Sequence, residues 1–233
     1  MLEILQNLEF TPFLLSFKLA ALTTLILFIL CLPLAWYLSQ TSSKAKPFLE
    51  AVTALPIVLP PSVLGFYILF ALSQNSPIGA FFDEYFDVKL VFNFTGLVVA
   101  SCFYSLPFMV QPLQSGFENI NKNMLEASYV SGKSKFETIF RVAIPNIKPA
   151  LMTAIIVTFA HTVGEFGVVL MVGGSIPDET KVASVAIYEM VEIMDYTSAH
   201  IYSAIMVVIS FLVLLSVYMF NSKQNKKFGG FHK

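Results

Sequence analysis

Charge is what this sequence has least of. Of its 233 residues, 14 are Lys or Arg and 15 are Asp or Glu, together 12%, about half the charged share of a water-soluble domain. Such a surface excludes an ordinary soluble fold. Hydrophobic residues at 56% and a mean hydropathy of +0.74 make the bilayer the expected solvent. Cysteine is scarce as well. Cys31 and Cys102 lie singly in apolar stretches without CxxC spacing, which leaves no disulfide framework or zinc site and reads as two packing residues. The first apolar run has Glu3 and Glu9 before it and no basic cluster, so it is expected to be a retained helix and not a cleaved signal peptide. A net charge of −1 says nothing about nucleic acid. The Lys-rich tail after Asn221 reads as a topology anchor at anionic lipid.

What is present is a set of long apolar runs. Five reach the roughly 20 residues that a helix needs to cross the hydrocarbon, at about 19–38, 51–72, 90–110, 150–172 and 201–220. The expectation is an all-α integral membrane protein, one domain over residues 1–233. Basic residues orient it, because Lys- and Arg-rich loops stay cytoplasmic. Lys44, Lys46, Lys122, Lys133, Lys135, Arg141, Lys148, Lys223, Lys226, Lys227 and Lys233 fall on one side, and Lys18, Lys89 and Lys181 on the other. The N-terminus is therefore expected outside and the C-terminus inside.

Between the third and fourth runs lies LEASYVSGKSKFETIFRVAIPNI, residues 125–147, too charged to span. Leu125 to Val130 suits a short helix, Gly132 a tight turn, and Phe136 to Val142 a second helix ending before Pro145. Met124, Leu125, Tyr129, Phe136, Ile139, Phe140 and Ile144 are many apolar groups for a loop. They fit either a docking platform or a connector packed on its own helices. Gly132-Lys133-Ser134 spells the end of a phosphate loop, but Ala127 stands where that loop needs its first Gly, so no nucleotide site is expected.

Polar and helix-breaking residues also occur inside the runs. Pro56, Pro60 and Pro61 remove backbone donors within the second run, next to Ser62. Such a break is tolerated at depth where protein buries it or where it lines a wet path. The alternatives are a packing kink beside Gly65 and a pathway where Ser62 meets an oxyanion. In the fourth run His161 and Glu165 are four apart, hence expected on one helical face as partners of architectural role, with Gly164 and Gly167 allowing close helix approach. Ionisable groups at such depth are costly, and a proton relay is the rival reading. After Gly173, Gly174 and Pro177, Val182, Val185, Ala186, Tyr188 and Ile193 mark a short amphipathic helix, at the outer interface or dipping into a pathway. Asn93-Phe94-Thr95 reads as a chance sequon.

The 125–147 segment resembles that of inner-membrane permease subunits of ATP-binding-cassette importers. Their pattern is EAA, three residues, Gly, nine residues, then IxLP. Here stand Glu126, Ala127 and Ser128, then Gly132, then Val142, Ala143, Ile144 and Pro145. The resemblance implies a coupling segment over 121–147, with Glu126, Ala127, Ser128, Gly132, Ile144 and Pro145 meeting an ATPase subunit. It implies partners: an ATPase dimer that holds ATP and Mg, a periplasmic oxyanion-binding protein, a second copy of this chain and membrane lipid, but no nucleic acid. The chain itself would bind no cofactor or metal and have no catalytic residue. LPIVLPPSVLGF, the GEFG of residues 164–167 and IPDETKVASVAIY are similar to the molybdate permease branch, over about Leu14 to Phe220. His161 departs from an Arg common there. Sulfate permeases share a similar GEFG element, and tungstate is chemically close, so molybdate, tungstate and sulfate all stay open as cargo.

Overall fold

The computed structural model describes residues 9–228, and every regular element among them is helical. The all-α expectation is borne out; Glu3 and Lys233 lie outside the described residues. Helix α1, Thr11–Gln40, begins with Pro12 in the first turn, where a missing N–H costs nothing, and runs 30 residues, about 45 Å.

The second apolar run differs from one kinked span. It forms α2, Lys46–Val58, and α3, Pro61–Leu72, bent by 112°. A residue before proline is driven out of the helical region. Leu59 and Pro60 each precede one, and both are extended, with ψ 136° and 137°. Two successive prolines thus turn a kink into a corner, while Pro56 remains inside α2.

Helix α4, Pro77–Phe86, was not anticipated. The Ser76 hydroxyl caps it by accepting from the Gly79 amide at 2.9 Å, and left-handed Asp87 ends it. Helix α5, Phe94–Glu118, is capped by Asn93, whose Oδ1 accepts from the Gly96 amide at 2.7 Å. It outruns the expected end near Val110 by two turns, because Leu113 and Phe117 stay buried although the apolar run has stopped.

Next come α6, Lys122–Val130; α7, Lys135–Thr138; a π-helical turn, Ile139–Ala143; and α8, Ile144–Asn146. The fourth span is likewise in two parts, α9, Lys148–Val163, and α10, Gly167–Gly173, separated at Gly164–Phe166. Helix α11 is Ala183–Glu192, and α12 is Tyr196–Phe228, which carries the expected tail onward as helix. Among described helices, three are long and apolar enough to cross a membrane, and up to five spans result if each bent pair counts as one. The second such pair is Lys135–Asn146 with α9, bent by 76°.

Helices α1, α5 and α9 form the centre, and the bundle has two distinct ends. At one, the core of Leu38, Phe117 and Ile120 continues into Leu125, Ala143 and Ile147 of the polar segment. Lys46 reaches Glu118 there at 2.9 Å. At the other, the Tyr202 hydroxyl pairs with the Glu9 backbone, and the Ala183 amide donates to Ser16 Oγ at 2.9 Å. The basic residues from Lys44 to Lys148, Lys89 excepted, therefore share one end.

Candidate functional site

The polar segment folds into a platform whose two halves are tied by one buried bond. Ser128 of α6 and Thr138 of α7 place their hydroxyls 2.9 Å apart, both nearly inaccessible. Between them Gly132 takes φ +79°, a left-handed turn with nothing within 4 Å of where a Cβ would stand. Ser134 then caps α7 in a reciprocal box with Glu137, accepting from its amide at 3.2 Å. The Ser-x-x-Glu spacing of residues 134–137 was the overlooked signal for that helix start.

The second half does not stop before Pro145. Proline has no N–H for the usual bond four residues back and crowds the carbonyl there. A π turn widens the helix so that Ile144 donates to Ile139, five residues back, and the helical run passes to Asn146. Ile144 is half-buried and Pro145 exposed.

The platform's inner side, Leu125, Ala143 and Ile147, joins the main core. Its outer side exposes Glu126, Ala127 and Tyr129, with Val130, Phe136 and Phe140 at 89%, 71% and 52% exposure. Glu126 also borders an open cleft of about 460 Å³ with Gln40, Lys46, Glu118 and Lys122. The apolar residues thus divide: some close the bundle, others stand exposed on its surface.

Deeper in the bundle the two helix breaks meet. A Cβ on Gly167 would stand 2.8 Å from Pro61 Cβ, and one on Gly65 would stand 2.9 Å from Met171 Cβ. Half-helices α3 and α10 therefore pack backbone to backbone, with Ile68 and Leu72 sharing a core with Val168 and Val172. Gly65 and Gly167 both lie at this close contact. Gly164 does not: only carbonyls of its own helix lie near, at 3.7 Å. Pro56 is buried, whereas Pro60, Pro61 and Ser62 are exposed at the corner.

His161 and Glu165 are not partners on one helical face. Helix α9 ends at Val163, so the four-residue spacing is interrupted before Glu165. His161 Nδ1 lies 3.0 Å from Ser105 Oγ, and its ring stacks on Phe108 with centroids 3.9 Å apart. Ser105 also meets Thr162 at 2.9 Å, a link that no local pattern announced. Glu165 sits in the break, 3% exposed, with neither carboxyl oxygen hydrogen-bonded. Its backbone carbonyl accepts from Ser184 Oγ at 2.6 Å, which joins α11 to the break. Helix α11 buries Ala183, Val185 and Ala186, so it packs on the bundle and touches the break from outside.

Residues 20–226 match a family model described as binding-protein-dependent transport system inner membrane component. The molybdenum transport system permease protein ModB of Azotobacter vinelandii is 48% identical over 204 residues, 88% of this chain and 90% of that protein. A putative molybdenum transport system permease, YvgM of Bacillus subtilis (strain 168), is 34% identical over 208 residues, covering 89% and 92%. A probable sulfate transport system permease, cysT of Chlorella vulgaris, is 32% identical over 210 residues, covering 90% and 79%. Among solved structures, a bacterial ABC transporter involved in import of the acidic polysaccharide alginate aligns with TM-score 0.77 at 15% identity, over 91% of this chain and 78% of that one. A bacterial alginate ABC transporter in complex with an alginate pentasaccharide-bound periplasmic protein aligns with TM-score 0.74 at 16% identity, over 94% and 79%. At such identities the likeness is one of fold.

Proposed function

The chain belongs to the binding-protein-dependent transport system inner membrane component family, and from that premise we propose that it is the permease subunit of an ATP-driven importer of molybdate. The observation that carries the cargo is the 48% identity, nearly end to end, with a molybdenum transport permease. Sulfate permeases stand further off at 32%. Tungstate, of the same charge and shape class as molybdate, would share its path.

In this reading two copies of the chain pair in the inner membrane, each with its N-terminus outside and its C-terminus inside. Two ATPase subunits hold ATP and Mg and do the hydrolysis; this chain supplies no catalytic residue. A periplasmic protein brings the oxyanion to the outer end. The platform meets the ATPase through Glu126, Ala127, Val130, Phe136 and Phe140, all exposed. Its inner face is continuous with the core of α1 and α5, so displacement passes into the bundle as rigid-body motion. The corner at Leu59–Pro60 and the break at Gly164–Phe166 are the places where half-helices α3 and α10 swing. Ser62 at that corner is the hydroxyl offered to the passing anion. What speaks against a proton relay through His161 and Glu165 is that His161 Nδ1 pairs with Ser105 of α5 while neither Glu165 carboxyl oxygen has a hydrogen-bond partner.

The test is uptake of labelled molybdate, tungstate and sulfate into vesicles carrying the chain with its neighbouring ATPase and binding protein. Saturable, ATP-dependent molybdate uptake is expected, and Gly132→Asp should abolish it while ATP hydrolysis continues. Uptake of none of the three anions, or uptake that survives loss of the ATPase, would overturn the proposal.

A further inference from the structure

Helix α4 is strongly lopsided. At 100° per residue, Ile78, Phe81, Phe82, Tyr85 and Phe86 fall within an arc of about 140°. All five are exposed, from 37% at Phe82 to 69% at Tyr85. Their rings already touch, with centroids 4.9 Å apart for Phe81 and Tyr85 and 5.7 Å for Phe82 and Phe86. The other side carries Asp83 and Glu84, and no Lys or Arg occurs in the helix.

The face is held in place. Ser76 caps the helix, Gln74 Nε2 donates to Asp83 Oδ2 at 3.0 Å, and a Cβ on Gly79 would come within 2.5 Å of the Leu72 carbonyl oxygen. The helix therefore cannot roll its aromatic side inward. Its depth is set by its neighbours. Residues 73–76 join it to half-helix α3, and four extended residues reach at most about 14 Å. Residues 87–93 join it to the start of α5, where Leu72 and Leu90 share one core. Both neighbours belong to membrane spans, and the headgroup zone beyond the hydrocarbon is about 5–7 Å deep on each side. The half-helix α3 itself exposes Phe66, Tyr67 and Phe70.

We propose that helix Pro77–Phe86 is an interfacial anchor whose aromatic face inserts into the headgroup and upper acyl region of a phospholipid bilayer. Aromatic side chains favour that zone, and Asp83 and Glu84 remain in water. With no cation on the helix, insertion needs no anionic lipid and does not weaken with salt. The anchor fixes the depth of α3's Leu72 end. The inference goes beyond the transport reading and holds for any cargo and either orientation.

The test uses the full chain assembled with its ATPase in vesicles of zwitterionic phospholipid. Tyr85→Cys and, separately, Glu84→Cys carry an NBD fluorophore in a Cys31→Ala, Cys102→Ala background. Nitroxide lipids quench from the headgroup, upper-chain or lower-chain level, and iodide quenches from water. The label at 85 should lose about half its emission to headgroup and upper-chain nitroxides, and less to lower-chain ones, unchanged by high salt. The label at 84 should answer to iodide. Iodide quenching at 85 without nitroxide quenching would overturn the anchor by placing the face in water. Blue-shifted emission at 85 that neither agent quenches would overturn it too, because a second copy or a binding protein would then cover the face. Phe81→Cys, labelled the same way, gives a second reading of the face should the first variant fail to assemble.

Discussion

Ser128 occupies a position where related permeases commonly hold alanine, yet its hydroxyl does work that alanine cannot. It satisfies Thr138, which is otherwise fully buried. Ser128→Ala should therefore cost about 1–3 kcal/mol, the penalty for stranding a buried hydroxyl. Ser128→Ala combined with Thr138→Val should recover much of that loss, because both polar groups are gone. Thermal unfolding of the four proteins of this double-mutant cycle, in detergent, reads the coupling directly. Additive effects would mean that the bond does not hold the platform. The sequence identified Glu126, Gly132 and Pro145 by spacing, but Thr138 has no motif. It becomes visible only when the two halves fold against each other. The same holds for Ser105, whose contacts with His161 and Thr162 come from another helix.

Among the elements, the prolines announced a weak point but not its angle. Apolar patterning is the same for a straight span and for two half-helices, and only the pairing of Leu59 and Pro60, each before a proline, dictates the corner. The second break was harder to foresee. His161 and Glu165 have the spacing of a continuous helix, and a helix ending at Val163 undoes the pairing. Helix α4 was missed because an apolar-run search passes over ten residues, although the serine cap followed by Pro77 was legible. Helix α11 was legible by its spacing, and it carries its own electrostatic fastening. Lys181 Nζ lies 2.6 Å from Glu189 Oε2. Partial burial pushes the Glu189 carboxyl up, but the Lys181 ammonium and the Ser175 hydroxyl together outweigh it and hold the group below the usual carboxylate range. A depressed carboxylate stabilises the fold fully above its unfolded value, and that share is lost as pH falls through the folded one. Acidification below about pH 4 should thus loosen α11, by no more than about 1 kcal/mol for so accessible a pair. Lys181→Met should flatten that acid limb when protection of the α11 amides is followed by hydrogen exchange against pH.

Over the whole molecule the two ends differ in kind. The platform end collects Lys44, Lys46, Lys122, Lys133, Lys135, Arg141 and Lys148, while the other carries Lys18, Lys89 and Lys181. The topology expected from the positive-inside rule makes a direct prediction. In sealed right-side-out cells, a membrane-impermeant maleimide should label Lys181→Cys and spare Lys44→Cys, and inverted vesicles should reverse the result. The reverse pattern would invert the orientation and place the platform outside. Between these ends, one contact ties together residues that lie over a hundred positions apart. Pro61 and Gly167 leave no room for even a methyl group at residue 167, so Gly167 cannot grow while Pro61 stands opposite it. Gly167→Ala should impair uptake by forcing α3 and α10 apart, read as slower molybdate entry into the same vesicles. In a lineage of such chains residue 167 would stay glycine for as long as a proline at 61 makes the corner.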